Sequence, residues 1–151
     1  MSEVLGFDYV DLNEVDPNFT AMPEDMYTLR ILKAEKIDFQ YKTGAKIGQD
    51  GERISLQLAV VEHPELSGRR LFESLFPSNF VYRVLRRIAD ATGVQQEPGS
   101  PLTTWLGTLS ELQPTFKVKV GFKTDRAGVV LMTPAGKPQD NAVDWREVQP
   151  A

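Results

Sequence analysis

Residues 27–41 read Tyr27-Thr-Leu-Arg-Ile-Leu-Lys-Ala-Glu-Lys-Ile-Asp-Phe-Gln-Tyr41. Tyr27, Leu29 and Ile31 alternate with Thr28 and Arg30, the period of a half-buried strand. The alternation slips at Ile31-Leu32-Lys33-Ala34 and resumes at Ile37, Phe39 and Tyr41. Such a slip is what a β-bulge produces, and a bulge bends its strand. A long, bent first strand is therefore expected.

The segments that follow are short. Residues 42–52 form a polar, glycine-rich loop. Residues 53–61 predict a second strand with Ile54, Leu56, Leu58 and Val60 on one face, and His63-Pro64 and Ser67-Gly68 mark the next turn. Residues 69–76 predict a third strand. Ser78 or Asn79 can cap a helix over 80–92 that carries Val81, Val84, Leu85 and Ile88 on one stripe and ends at Gly93. A short second helix after Ser100-Pro101 would bury Leu102, Trp105, Leu106 and Leu109. Strands are expected at 115–123, Val129–Met132 and Ala142–Val148. This order, with a bent first strand and a helix between strands three and four, is the layout of the OB-fold, a partly open five-stranded barrel. The fold class is accordingly mainly β, with other small barrels and an α+β sandwich as alternatives.

Residues 115–123, Thr-Phe-Lys-Val-Lys-Val-Gly-Phe-Lys, carry a second message. Phe116, Val118, Val120 and Phe122 share one face, and Lys117, Lys119 and Lys123 the other. A strand with lysines outside fits a domain that meets an anion. The chain's net charge of -4 argues against this only until its distribution is read. Residues 1–25 hold seven acids and no Lys or Arg, which leaves residues 26–151 at +3. The chain is thus divided into an acidic arm, 1–25, and a mildly basic domain, 26–151. The arm is either a solvated leader or a competitor of an anionic ligand for the basic face.

With 151 residues and no cysteine, the chain fits one domain without disulfides or a thiolate site. No apolar run reaches membrane-span length and the N-terminus lacks a signal-peptide pattern, so a cytosolic protein is expected. His63 is the only histidine and reads as a turn residue. Gly44, Gly48 and Gly51 are not followed by the Gly-Lys-Ser/Thr of a phosphate loop. Neither an enzyme, a metal nor a cofactor is expected.

The cations have a better use. In an OB-fold, oligonucleotides lie on strands two and three, flanked by the first loop and the loop between strands four and five. The first loop carries Lys42, Lys46 and, at its end, Arg53; the other carries Lys123 and Arg126. Arg30, Lys33, Arg69, Arg70, Lys117 and Lys119 add further charge for a phosphate backbone. Bases stack on aromatics, and Tyr41 and Trp145 are the expected platforms, with Phe39 in the core. Strand three is ambiguous. If Leu71 and Leu75 face inward, Glu73 is buried with them and Phe72 and Phe76 become a stacking set beside Arg70. If Glu73 faces out, Phe72 and Phe76 fill the core and Leu71 and Leu75 form an exposed apolar edge. The cost of burying an unpaired charge favours the second phase. Arg83, Arg86, Arg87 and Asp90 read as the solvated face of the helix.

Several stretches resemble a family of small bacteriophage proteins taken to be single-stranded DNA-binding OB-fold proteins: Phe7-Asp8-Tyr9, Phe19–Pro23 with Tyr27–Ile31, Gly68–Phe72, the helix ending at Gly93, the 115–123 strand and Asn141–Pro150. Pro23-Glu24-Asp25 and the long 133–141 loop depart from the family's pattern. The resemblance implies binding of single-stranded DNA largely without sequence preference, in DNA replication or recombination, in the cytoplasm of a bacterial host. A phage recombination or replication protein is the implied protein partner, and a homodimer is the commonest assembly for such chains. The alternative is a protein-interaction or virion accessory module that uses the strand-three edge and binds no nucleic acid.

Overall fold

The structure, a computed structural model, describes residues 21–151. Residues 1–20, which hold most of the acidic arm and the Phe7-Asp8-Tyr9 stretch, lie outside the described residues. The elements run β1 (Asp25–Gln40), β2 (Asp50–Val61), β3 (Arg70–Leu75), α1 (Asn79–Thr92), α2 (Leu102–Leu112), β4 (Thr115–Phe122) and β5 (Asn141–Pro150). The strands form one antiparallel sheet in the order β3-β2-β1-β4-β5, so its hydrogen-bonded ladder is open with β3 and β5 at the edges. Val129–Met132, expected as a strand, makes only isolated bridges, Thr124 with Val130 and Met132 with Pro138, within a connection tightened by turns at Gly128 and Gly136.

One face of the sheet is the core. Tyr27, Leu29 and Ile31 of β1, Ile54, Leu56, Leu58 and Val60 of β2 and Phe116, Val118 and Val120 of β4 are all buried. Against them pack Val81, Val84, Leu85 and Ile88 of α1 and Trp105, Leu106 and Leu109 of α2. The expected caps are present: the Ser78 hydroxyl accepts from the Val81 amide at 3.1 Å, and Gly93 takes the left-handed conformation at φ 76°. No helix among the described residues is long and apolar enough to cross a membrane.

The phase slip in β1 is a bulge at Leu32, where the register against β2 shifts between Ile31 and Lys33. The C-terminal end of α2 holds it. The Ala34 amide donates to the Ser110 hydroxyl at 2.9 Å, and that hydroxyl lies 3.0 Å from the Ala34 carbonyl. Gln113 donates its side-chain amide to the Leu32 carbonyl at 3.2 Å, and the Ile31 amide reaches the Pro114 carbonyl at 3.0 Å. Backbone groups of β1 past its last pair with β4, Arg30 with Thr115, are thus paired elsewhere, as partly buried peptide groups must be.

Strand three takes the phase that the charge argument disfavoured. Leu71 and Leu75 are buried at 7% and 6% exposure, whereas Phe72 and Phe76 are exposed at 59% and 47%. The cost at Glu73 is met locally: the Trp145 indole donates to its carboxylate at 3.0 Å, and the Val143 backbone supplies a second hydrogen bond. This bridge joins the two open edges of the sheet. Burial still pushes the Glu73 pKa above the usual carboxylate range, against the lowering effect of the Trp145 bond.

The N-terminal entry is fixed by a polar residue. Ala21 and Met22, in the stretch read as arm, are buried, and Asn141 binds the Met22 amide at 2.8 Å, the Met22 carbonyl at 2.9 Å and the Gly121 carbonyl at 3.0 Å.

Two outcomes follow from these contacts. Ser110→Ala removes the partner of the Ala34 amide and should lower unfolding stability in urea by about 1–3 kcal/mol. Glu73 binds a proton more tightly folded than unfolded, because its folded pKa is raised. Its contribution is therefore most favourable below the ordinary carboxylate range and is lost as pH rises through the raised value. Glu73→Gln keeps the acceptor for Trp145 without the charge. The variant should gain thermal stability over the wild type as the buffer moves from mildly acidic to neutral, and an unchanged difference would contradict this account.

Candidate nucleic-acid interface

The face of the sheet opposite the core is built row by row from strand register. Before the bulge, Thr28 and Arg30 point away from the core; after it, Lys33, Glu35, Ile37 and Phe39 do, and Tyr41 continues their parity. One extra residue therefore places the cationic first half of β1 and its aromatic second half on the same surface. Phe39, expected in the core, is half-buried on this outer face.

Arg70, Ala59 and Arg30 lie side by side across β3, β2 and β1. Two strand spacings separate the arginines, roughly 10 Å. Ala59 between them offers no side chain long enough to intervene. The next row is Phe72, Gln57 and Lys33, and the one after it Ser74, Ser55 and Glu35. Arg53, beside Ile37, donates to the Ser74 hydroxyl at 3.1 Å. Towards β4 the face continues through Thr28 to Lys117 and Met26 to Lys119.

The hairpin end carries an aromatic cluster. The Phe39 ring meets Tyr41 edge-on at 4.9 Å and Phe76 edge-on at 6.1 Å, and Lys46 Nζ stands 5.6 Å from the Tyr41 ring. Gly51, paired with Phe39 across the hairpin, makes room for it: a Cβ there would lie 2.7 Å from the Tyr41 ring and 2.8 Å from the Phe39 ring. A glycine inside a strand marks such close approach.

Of the expected site residues, Arg30, Lys33, Arg53, Arg70, Phe72 and Lys117 share this face, with Tyr41, Lys42 and Lys46 at its hairpin end. Arg30, Arg53, Arg70, Lys42, Lys46, Lys117 and Arg126 make no ion pair with a described residue. Lys33 pairs with Glu35 at 3.7 Å. Lys119 pairs with Glu24 at 3.6 Å, and Lys123 with Asp140 at 3.1 Å. Arg69 takes the other parity, opposite Val60 and near Tyr27.

Two expectations need correction. Trp145 is not a stacking platform: it is buried against Phe116, with ring centroids 6.0 Å apart, and its indole N–H is committed to Glu73. The two basic loops do not flank one end of a groove. Residues 41–49 follow the Gln40 end of β1, whereas Lys123 and Arg126 follow β4 beyond its pairing with Asp25, at the opposite end.

Several other polar groups have structural employment. His63 Nδ1 accepts from the Glu65 and Leu66 amides at 3.1 and 3.0 Å, which shapes the β2–β3 turn. Arg146 binds Asp144 at 2.6 Å and, chiefly through that hydrogen bond, holds the Asp144 pKa at about 2. Arg86 pairs with Asp90, and Arg87 donates to the Trp145 carbonyl. A cleft of about 150 Å³ on the core side, lined by Ile54, Leu75, Val81, Tyr82, Leu102 and Leu106, is mainly apolar. Among the described residues no three His, Asp or Glu side chains gather as a metal site.

Phe39 and Gln57 join the face without having been singled out for it, and Phe76 joins it with the phase of strand three that makes it a stacking residue. Gln57 had one visible signal, a polar residue at outward parity within the apolar run Ile54–Val60. No protein-family model, curated protein or solved structure matches the chain.

Gly51→Val should drive Phe39 and Tyr41 apart. The expected readout is a changed near-ultraviolet circular dichroism spectrum with the far-ultraviolet spectrum retained, because the cluster lies outside the core. An unaltered aromatic signal would contradict the role given to this glycine.

Proposed function

We propose that the chain is a single-stranded nucleic-acid-binding protein of OB type that binds DNA in phage replication or recombination. The observation that carries the reading is the outer face of β1–β3. It combines solvent-exposed aromatics with arginines that no described acid neutralises, on a sheet whose other face is the core. Arg30, Arg53, Arg70 and Lys117 supply charge for phosphates, while Phe72 and the Phe39–Tyr41–Phe76 cluster offer stacking surfaces. Single strands suit this pairing because their bases are free to unstack onto rings. A duplex keeps its bases stacked inside and would engage only the cations.

The OB assignment is supported by β1 pairing with both β2 and β4, and by the side-chain bridge between the β3 and β5 edges. A barrel closed in that sense would put β3 beside β5. The alternative of an interaction module rested on exposed Leu71 and Leu75, and both are buried.

Fluorescence anisotropy with labelled single- and double-stranded oligonucleotides at two salt concentrations tests the proposal. Single strands should bind more tightly than duplex. Neutralising Arg30 and Arg70 together should reduce the salt slope by about 1–2, and Phe72→Ala should cost about 1–3 kcal/mol. Absence of single-strand binding at low salt would overturn the reading.

A further inference from the structure

Gln57 is the polar residue on the candidate interface that the described residues leave unsatisfied. It is 6% exposed, at the centre of the row Phe72–Gln57–Lys33. Its side-chain amide makes no hydrogen bond with any described residue. No side-chain nitrogen or oxygen among the described residues is both fully buried and unpartnered, so the amide reaches the surface of the face. A nearly buried amide without a partner is costly, since it has given up much of its hydration without replacing it. Asn141, the other buried polar residue among the described ones, shows the usual solution, with three hydrogen bonds to the backbone.

The neighbours of Gln57 indicate what would complete it. Phe72 stands directly opposite on β3, and directly paired side chains in an antiparallel sheet lie about 5 Å apart at Cβ. Phe72 is 59% exposed and can take a base on its ring. A base stacked there brings its polar edge over Gln57, while Lys33 flanks the amide from β1. A primary amide presents a donor and an acceptor side by side. On the edge that carries N7 this matches adenine, whose N6 amino group donates and whose N7 accepts, whereas guanine presents two acceptors there, cytosine a donor and thymine an acceptor.

We infer that Gln57 reads the base stacked on Phe72 and gives the site a preference for adenine at that one position. The inference rests on the single-strand reading above and departs from binding that is neutral to sequence. Phosphates and the hairpin aromatics hold the strand without regard to sequence, and Gln57 supplies one selective contact.

The test compares single strands of about eight nucleotides, a length within the range occupied by one OB domain. Oligo-dA, oligo-dC and oligo-dT are titrated against wild type and Gln57→Leu, a swap of similar volume without polar atoms. Wild type should favour oligo-dA by about tenfold or more. The variant should lose that advantage and bind oligo-dT as wild type does, within about twofold. Purines also stack well on rings, so a dA preference retained in Gln57→Leu would assign selectivity to stacking and overturn the inference. Equal wild-type affinity for all three oligonucleotides would overturn it as well and leave single-strand binding standing. Failure to bind any of them would overturn both. Gln57→Met, with its unbranched chain, serves the same comparison if the leucine variant does not fold.

Discussion

The molecule depends on the bulge at Leu32. A strand of sixteen residues cannot change the face of its side chains without losing or gaining a residue in register, and β1 gains one. Its first half sends Tyr27, Leu29 and Ile31 inward; its second half sends Phe39 outward, towards the surface that already holds Arg30. Without the extra residue Phe39 would face the core side, and the outer face would hold Asp38 and Gln40 in its place. The bulge is no local accident, because Ser110, Gln113 and Pro114 supply it with partners from the far end of α2. Helix position and surface chemistry are thereby coupled: what docks α2 on the sheet also determines which residues line the candidate interface.

The second coupling runs through Glu73. Turning Glu73 inward lets both leucines of β3 enter the core and both phenylalanines leave it. The outcome is set by a balance. Burying two leucines contributes about 1.5–3 kcal/mol each. A buried carboxylate costs several, unless donors meet it. The Trp145 indole and the Val143 backbone are those donors, and the raised pKa records that they only partly offset desolvation. Exposed phenylalanines also carry a cost in a free protein, which is reason to look for what covers them.

What could be read from the residues alone divides along sequence separation. The alternation of 53–61 and 115–123 assigned the inward faces of β2 and β4 correctly, because period two is a property of neighbouring residues. Ser78 and Gly93 announced both ends of α1 for the same reason. The phase slip in β1 was visible, but its parity after the slip was not, since that depends on hydroxyl and amide partners contributed by Ser110 and Gln113. The phase of β3 failed likewise. An isolated Glu between leucines argues for the outside, and donors on a distant strand, the Trp145 indole and the Val143 backbone, reverse the argument. The indole bond also removed Trp145 from the set of stacking platforms: one unforeseen contact entered both errors. Gln57 was not singled out, because its lack of partners among the described residues is a property of the assembled face.

The aromatic cluster shows how such a face can stay open to solvent without collapsing. Phe39 makes edge-to-face contacts with both Tyr41 and Phe76, and the three rings brace one another while Phe76 stays exposed. Edge-to-face contacts of this kind are worth about 0.5–1.5 kcal/mol beyond burial. They also hold the side chains in one arrangement before any ligand arrives. Gly51 supports the arrangement from beneath, since the rings occupy the volume a Cβ would fill. Rings already fixed in place lose little rotamer freedom when something stacks on them, and preorganisation of that kind raises affinity without adding a contact. Lys46 over Tyr41 adds charge at the cluster's margin. Stacking surface and cation are therefore presented together at the hairpin, and Arg30 and Arg70 extend the cationic part towards the far end of β1. An extended polyanion with flat, exposed bases is the ligand chemistry that can use both parts of this face at once.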